Sequence, residues 1–244
     1  MKRILRYLGF GLLMILLLGI AGFLVWAQSP ARPEATAIES LASAQVNNEH
    51  NWLVFKLEDT AAGLVLYPGG RVDYQAYAPY AKAIAEAGFT VVIVPMPLNF
   101  AFLGVNRAAD VIAAFPDIET WVVGGHSLGG SMAAEFTKSN PSLVDGLVLW
   151  ASYPSDNTDF SATDLPVLSI FASNDQITSL QEIRASRNRL PGDSQYIQIT
   201  GGNHAGFGWY GDQNGDGNLE IPKADQQNQV VTATVNFLQD LSQD

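Results

Sequence analysis

The chain has 244 residues, with 13 Lys and Arg against 24 Asp and Glu, a formal net charge of -11 and no cysteine. The acidic balance argues against nucleic-acid binding and against electrostatic docking on anionic lipid, because both need clustered cations. The lack of cysteine excludes a disulfide framework, a thiolate nucleophile and a Cys-ligated zinc site. The length suits one domain with a sizeable core.

An apolar segment without charged side chains, Leu8 to Trp26, follows three basic residues at the N-terminus. As a helix it would span about 28 Å, close to the hydrocarbon thickness of a bilayer. It predicts a single-pass anchor over residues 1–27, and the preceding basic residues place the rest of the chain on the extracytoplasmic side of the cell membrane. A signal sequence cleaved near Ala27, giving a secreted protein, is the alternative.

Residues 28–44 contain Pro30 and Pro33 among small polar residues and predict a tether. From residue 45 to residue 244, apolar runs rich in β-formers alternate with helix-like stretches, which predicts one α/β domain with a parallel sheet buried on both faces. The predicted strands are Trp52 to Leu57, Gly63 to Tyr67, Thr90 to Pro95, Thr120 to Gly124, Leu143 to Leu149, Pro166 to Phe171 and Gln195 to Thr200. The predicted helices are Tyr74 to Ala87, Val105 to Phe115, Leu128 to Ser139, Leu180 to Arg189 and Asp225 to Leu241.

One motif stands at a predicted junction of strand and helix. Gly125-x-Ser127-x-Gly129 ends an apolar strand and precedes an alanine-bearing helix. A nucleophilic serine in such a turn needs glycines two residues to either side, so that strand and helix can pack closely. We therefore take Ser127 as the candidate nucleophile; the alternative is a glycine-rich turn with a surface serine.

A serine nucleophile needs a base, and the chain has three histidines. His50 precedes the core strands, and the side chain of His126 should point away from its neighbour Ser127 at a sharp turn. His204 follows the last predicted strand, where open α/β sheets place their sites. His204 is therefore the candidate base; a loop histidine without a role is the alternative.

The third member of a triad should follow a strand between the serine and the histidine. Asp175 follows the predicted strand Pro166 to Phe171 and is the candidate for this third member. Asp156 and Asp159, after the preceding strand, are its rivals, and an ordinary solvated acid or helix cap is the alternative for all three.

An oxyanion hole needs two backbone amides. Leu128, directly after the serine, offers one, and Gly70 in Tyr67-Pro68-Gly69-Gly70 offers the other. A role in the turn alone is the alternative for these glycines.

The order Ser127, Asp175, His204, with Pro68-Gly69-Gly70 upstream, resembles the α/β-hydrolase superfamily, and the compact chain is similar to its dienelactone-hydrolase-like members. The resemblance covers roughly residue 45 to the C-terminus. It implies a doubly wound, mostly parallel sheet of about eight strands with a hydrolytic triad at its C-terminal edge. Dienelactone hydrolases use a cysteine nucleophile, which this chain lacks, and about 15 residues between two strands leave no room for a lipase-like helical lid.

Two further features concern the surroundings of the site. Phe100, Phe102 and Leu103 follow a predicted strand and either line an acyl pocket or are buried under a neighbouring helix. The segment Asp212 to Lys223 copies the first half of an EF-hand loop but has Lys223 where a bidentate Glu belongs. A turn built from Asn-Gly and Asp-Gly is favoured there over a calcium site.

The expected function is that of a membrane-tethered serine hydrolase that cleaves small carboxylic esters through an acyl-enzyme intermediate. It requires no metal or organic cofactor, and its expected partners are a small-molecule ester and the membrane, without nucleic acid. The alternatives are a peptidase or thioesterase on the same triad and a non-catalytic membrane-tethered binding module. The sequence leaves the oligomeric state open.

Overall fold

The fold is that of a computed structural model, which describes residues 2–47, 49–57, 60 and 62–243. The side chains of the N-terminal basic residues, Lys2, Arg3 and Arg6, lie outside the described part. The membrane orientation predicted from them therefore stays a prediction.

The described residues form an eight-stranded sheet with the order β1-β2-β4-β3-β5-β6-β7-β8. The first two pairings, β1 with β2 and β2 with β4, are antiparallel, and the others are parallel. The strands are β1 (Gln45–Val46), β2 (Leu53–Phe55), β3 (Ala62–Tyr67), β4 (Thr90–Ile93), β5 (Thr120–His126), β6 (Gly146–Trp150), β7 (Val167–Ala172) and β8 (Gln195–Ile199).

Helices cover both faces of this sheet. The α-helices of the described residues, including the exposed α1, are α1 (Lys2–Ala27), α2 (Ala35–Ser40), α3 (Ala78–Glu86), α4 (Arg107–Ala114), α5 (Leu128–Ser139), α6 (Leu180–Ser186) and α7 (Lys223–Leu241). Buried side chains of α3 and α7 pack with one face of the sheet, and those of α4 and α5 with the other. Since successive residues of a strand point to opposite faces, Leu64 and Leu66 join the first core and Val65 and Tyr67 the second.

The predicted fold class is confirmed, because strands and helices alternate in a mostly parallel, doubly wound sheet. The order of the strands reverses between β3 and β5, whose carboxyl ends pair side by side through Tyr67 and Gly125. A crevice forms at such a reversal, and open α/β sheets bind their ligands there. Gly70 and Ser127 follow these two strand ends.

Two short elements were not predicted. The strand β1 has only two residues, and α2 lies inside the segment 28–44 that the composition predicts to be a tether. This segment is packed on the domain: Ala37 is fully buried, and the Glu34 carboxylate pairs with Lys223 Nζ at 2.8 Å. Contacts with residues distant in the sequence hold this segment in an ordered conformation. A local composition pattern does not reveal such contacts.

The N-terminal helix α1 is long and apolar enough to cross a membrane. Its stretch Tyr7–Ala27 has 21 residues with a mean hydropathy of 2.6. Residues 7–26 are exposed, whereas Ala27 is buried. Its last turn contacts the domain. Asn99 Nδ2 donates to the Ala27 carbonyl at 2.9 Å, and Arg71 Nη2 donates to the Trp26 carbonyl at 3.0 Å.

Candidate active site

Ser127 occupies the sharp turn between β5 and α5. Its backbone has φ 52° and ψ -124°, a region that residues with a side chain rarely adopt and that costs of the order of 1–3 kcal/mol. Two hydrogen bonds hold the turn: the Ser127 amide donates to the Trp150 carbonyl at 2.9 Å, and Ser152 Oγ donates to the Ser127 carbonyl at 2.6 Å. Among the described residues, the Ser127 hydroxyl has no hydrogen-bond partner, so its Oγ remains available.

The flanking glycines let the backbones approach closely. A Cβ at Gly125 would lie 2.6 Å from the Tyr67 carbonyl oxygen and 2.7 Å from the Gly130 amide nitrogen. A Cβ at Gly129 would collide with the Tyr67 and Pro68 carbonyl oxygens. The glycine spacing of the motif is therefore a steric requirement of the contact between β3, β5 and α5.

His204 and Asp175 form a buried pair. His204 Nδ1 lies 2.8 Å from Asp175 Oδ2, and the two residues are 1% and 5% exposed. A carboxylate only accepts, so Nδ1 carries the proton and Nε2 of the neutral ring is left with a lone pair. The ring of His126, the residue before Ser127, lies 4.5 Å from the His204 ring, which brings the pair beside the serine turn.

The other oxygen of Asp175 is also occupied. Its Oδ1 accepts hydrogen bonds from the amides of Ile177 at 2.8 Å and Thr178 at 2.6 Å. The rival acids lie elsewhere: Asp156 has an almost fully exposed side chain paired with Arg189, and Asp159 accepts a hydrogen bond from the Ser161 amide at the surface. Asp175 is therefore the carboxylate that orients His204.

Asp216 connects the two loops that carry this pair, a role that sequence analysis missed. Its Oδ2 accepts from the Ala205 amide at 2.8 Å, directly after His204, and its Oδ1 lies 3.4 Å from the Gln176 amide, directly after Asp175. In the sequence, this segment stands out by its likeness to a calcium-binding EF-hand loop. In the structure, the carboxylate of Asp216 accepts hydrogen bonds from backbone amides, as the turn interpretation implies.

His126 is a second residue whose role sequence analysis missed. Its side chain is only 1% exposed, and its ring lies against the rings of His204 and Phe207. The Tyr77 hydroxyl accepts from the Gly69 amide at 2.9 Å and is hydrogen-bonded to His126 Nδ1 at 2.9 Å. Strand alternation offered the signal, because it puts His126 on the same face as the core residue Val122.

Burial, and next the positive charge that His204 can carry, hold the pKa of His126 well below its ordinary value of 6.5. The His126 ring beside His204 is therefore neutral. Burial likewise raises the pKa of Tyr77, which keeps its hydroxyl protonated. The buried residues that contact His204 from this side thus carry no charge.

Two backbone amides near Ser127 lack an acceptor among the described residues. In the loop after β3, the Gly69 amide donates to Tyr77 and the Arg71 amide donates to the Asn99 carbonyl at 2.7 Å. Among the described residues, neither the Gly70 amide nor the Leu128 amide has an acceptor. A Cβ added at Gly70 would lie 3.1 Å from Leu128 Cδ2, so the two residues are in contact. The role of these two amides as an oxyanion hole, predicted from the sequence, stays a prediction.

The predicted substrate-binding residues lie together on a loop after β4. Phe102 and Leu103 are 51% and 47% exposed, and Phe100 is partly buried between Trp26 and Phe102. They are not buried under a neighbouring helix, which was the alternative. Residues 151–166, the stretch that holds a helical lid in many lipases, contain no helix.

A model of the alpha/beta hydrolase family matches residues 63–228, which is more than half of the chain and includes all three candidate triad residues. The chain belongs to the α/β-hydrolase family. The resemblance predicted from the sequence is thereby confirmed at the level of the family. No curated protein matches the sequence.

Solved structures share the fold at low identity. A dienelactone hydrolase from Anabaena variabilis has a TM-score of 0.62 at 14% identity, covering 78% of this chain and 90% of that one. A structure described as a "predicted CIB-like hydrolase" from Thermoplasma acidophilum has a TM-score of 0.59 at 16% identity, covering 81% and 96%. A structure from a study of LipS and LipT, two metagenome-derived lipolytic enzymes, has a TM-score of 0.60 at 11% identity, covering 80% and 100%. These likenesses show the fold, and the family match supports a hydrolase.

Proposed function

We propose that the protein is a membrane-tethered serine hydrolase that cleaves small carboxylic esters through an acyl-enzyme intermediate. One observation carries the proposal: a serine in a strained turn between β5 and α5 lies beside a buried His204–Asp175 pair. The turn is kept in spite of its conformational cost, and such strain concentrates at sites of function.

In the proposed reaction, Ser127 Oγ attacks the ester carbonyl carbon and gives its proton to His204 Nε2. The Leu128 and Gly70 amides bind the oxyanion of the tetrahedral intermediate, while Asp175 stabilises the imidazolium. The C–O bond to the alcohol breaks, and the leaving alkoxide takes the proton from His204. Water then attacks the acyl-enzyme by the same route, which releases the carboxylic acid and restores Ser127.

The preference for small esters follows from the absence of a helix in residues 151–166. A binding site without a lid buries few methylene groups of an acyl chain, and each buried methylene contributes only about 0.8 kcal/mol. An ester is the expected substrate because an alkoxide is a better leaving group than an amide nitrogen. The loop with Phe102 and Leu103 provides the nearest apolar surface.

The membrane tether is supported by the way α1 meets the domain. Ala27 is fully buried, and the carbonyls of Trp26 and Ala27 accept hydrogen bonds from Arg71 and Asn99. Cleavage near Ala27 would cut the chain inside this contact and leave a new charged terminus in it. Retention of α1 as an anchor is therefore favoured over a secreted product, and the basic N-terminus favours the extracytoplasmic side for the domain.

Reaction of the full-length protein with a fluorophosphonate, followed by peptide mass spectrometry, tests the proposal. The probe should modify Ser127, and Ser127→Ala should abolish both labelling and hydrolysis of p-nitrophenyl acetate. Ser139→Ala is the matched control, because Ser139 is exposed at the opposite end of α5. Labelling of another serine would contradict the assignment, and a folded protein without labelling or hydrolysis would indicate a binding module.

A further inference from the structure

The end of α1 is fixed to the catalytic edge of the sheet. Its last turn contacts the loops after β3 and β4, which leave the sheet at the same edge as Ser127. Arg71 takes part twice: its guanidinium donates to the Trp26 and Ser29 carbonyls at 3.0 and 2.8 Å and lies 4.0 Å from the centre of the Trp26 ring. A helix that crosses a membrane would thus bring this edge of the domain to the membrane surface.

The exposed apolar residues of the neighbouring loop lie beside that helix end. A chain of aromatic contacts joins them: the Trp26 and Phe100 rings are 5.9 Å apart, and the Phe100 and Phe102 rings 5.2 Å. Phe102 is the one aromatic side chain above a third exposed among the described residues beyond α1. Leu103 follows it and is also about half exposed.

The depth of these residues follows from the position of Trp26. Tryptophan near the end of a membrane helix typically lies at the boundary between headgroups and acyl chains, and here the polar residues Gln28 and Ser29 follow it directly. Because Phe102 is two ring contacts from Trp26, it lies near the same boundary. The bilayer that holds α1 is therefore the surface adjacent to Phe102 and Leu103.

We propose that Phe102 and Leu103 insert into the headgroup region of the bilayer that holds α1 and keep the catalytic edge of the sheet at the membrane surface. This inference rests on the anchor in the proposed function. The body is strongly acidic, so apolar insertion into zwitterionic lipid, rather than attraction to anionic lipid, provides the contact. The turn Ala101–Leu103 packs against α5, which begins directly after Ser127, so substrate reaches the serine along the membrane surface.

The absence of cysteine from the chain allows a direct test. Single-cysteine variants F102C and L103C of the full-length protein, labelled with the environment-sensitive dye NBD, are reconstituted into phosphatidylcholine vesicles. Quenching is measured with nitroxide lipids that carry the spin label in the headgroup or deep in the acyl chain. Both labels should be quenched by the headgroup nitroxide. They should also emit at a shorter wavelength than NBD does in water.

Two matched positions make the result decisive. L16C, in the middle of α1, should be quenched by the deep nitroxide and reports on the anchor alone. L143C has a leucine of similar exposure, 37%, but lies before β6 at the amino end of the strands, so it should stay unquenched. Labels at 102 and 103 that behave like L143C while L16C is quenched would overturn the insertion and leave the anchor in place.

Other occupants of the loop give different outcomes. If L16C is also unquenched, the anchor itself is absent, and fluorophosphonate labelling of Ser127 shows separately whether the hydrolase part of the proposal survives. Energy transfer between donor- and acceptor-labelled L103C chains without lipid quenching would assign the loop to a second copy. A label that is not quenched by either nitroxide, but whose emission wavelength shifts when Ser127 reacts with a fluorophosphonate, would assign the loop to an acyl pocket. Either result would overturn the insertion.

Discussion

The turn that carries Ser127 and the loop that carries His204 are held in place by different kinds of contact. At the serine turn, backbone packs on backbone, and Gly125 and Gly129 leave no space for a side chain. At the histidine loop, polar side chains provide the support: Asp216 binds the Ala205 amide, and Gln226 exchanges two hydrogen bonds with the backbone of Asn203. The first region therefore depends on glycines within one short motif, while the second depends on side chains 11 and 23 residues away from the backbone groups that they bind.

The largest expected effect is on chemistry at the histidine loop. Asp175→Asn keeps the shape of the side chain but loses the charge that stabilises the imidazolium and selects the tautomer of His204. By analogy with other triads, kcat for p-nitrophenyl acetate should fall about 10⁴-fold. Steady-state kinetics of the purified protein provide the measurement. Asp156→Asn, at the exposed rival position, should leave kcat nearly unchanged, and the reverse pattern would move the acid to the loop after β6.

A steric substitution should break the serine turn. Gly125→Ala places a methyl group 2.6 Å from the Tyr67 carbonyl oxygen, so strand and helix must separate. The free energy of unfolding should fall by about 3 kcal/mol or more, measured by urea denaturation in detergent. Gly192→Ala is the control, because nothing lies within 4 Å of its new methyl group. Equal stability of the two variants would show that the turn accommodates the added methyl group without loss of stability.

The support of the histidine loop should be weaker and distributed. Asp216→Asn removes the negative charge of the carboxylate that accepts hydrogen bonds from the Ala205 and Gly217 amides, at 2.8 and 2.7 Å. We expect the free energy of unfolding to fall by about 1–3 kcal/mol. We also expect a loss in kcat of about 10- to 100-fold, because His204 is displaced from the serine. Asp212→Asn, an exposed acid of the same loop, should change neither quantity. A loss of stability with unchanged kcat would limit Asp216 to a structural role.

The smallest expected effect concerns pH. The pKa of His126 is lowered in the folded protein, chiefly by burial. Below about pH 6.5, His126 therefore binds a proton in the unfolded chain but not in the folded protein. Stability should therefore fall as the pH decreases, with a contribution from this group of up to about 1.4 kcal/mol per pH unit. The difference in unfolding free energy between wild type and His126→Asn, measured from pH 7 to pH 5, isolates this contribution. A difference that stays constant with pH would show that His126 titrates alike in both states.

The local part of the site was predictable from the sequence. The motif around Ser127 lies within five residues, and the steric reason for its glycines applies wherever a strand meets a helix at such a turn. His204 was reached by excluding two other histidines, and Asp175 by its place after a strand. The structure brings these two together, while their catalytic roles remain proposals.

The supporting residues were not predictable in the same way. Asp216 lies 41 residues after Asp175 in the chain, and only the folded loops bring its carboxylate near the Gln176 amide. Tyr77, in a short 3₁₀ turn before α3, and His126, at the end of β5, are 49 residues apart in the chain and meet only in the fold. The helix α2 depends on burial of Ala37 against the domain, since six residues alone are too few for a stable helix.

Rapid mixing of the full-length protein with p-nitrophenyl acetate, followed by quenching and mass spectrometry, shows whether an acyl-enzyme forms. We expect a burst of one p-nitrophenolate per chain and an acetyl group on Ser127, because p-nitrophenolate is a good leaving group and acylation is then faster than attack by water. The acetyl-enzyme should decay at the steady-state rate in wild type and fail to form in Ser127→Ala. Turnover without an acetylated Ser127, or with the acetyl group on another residue, would contradict the account.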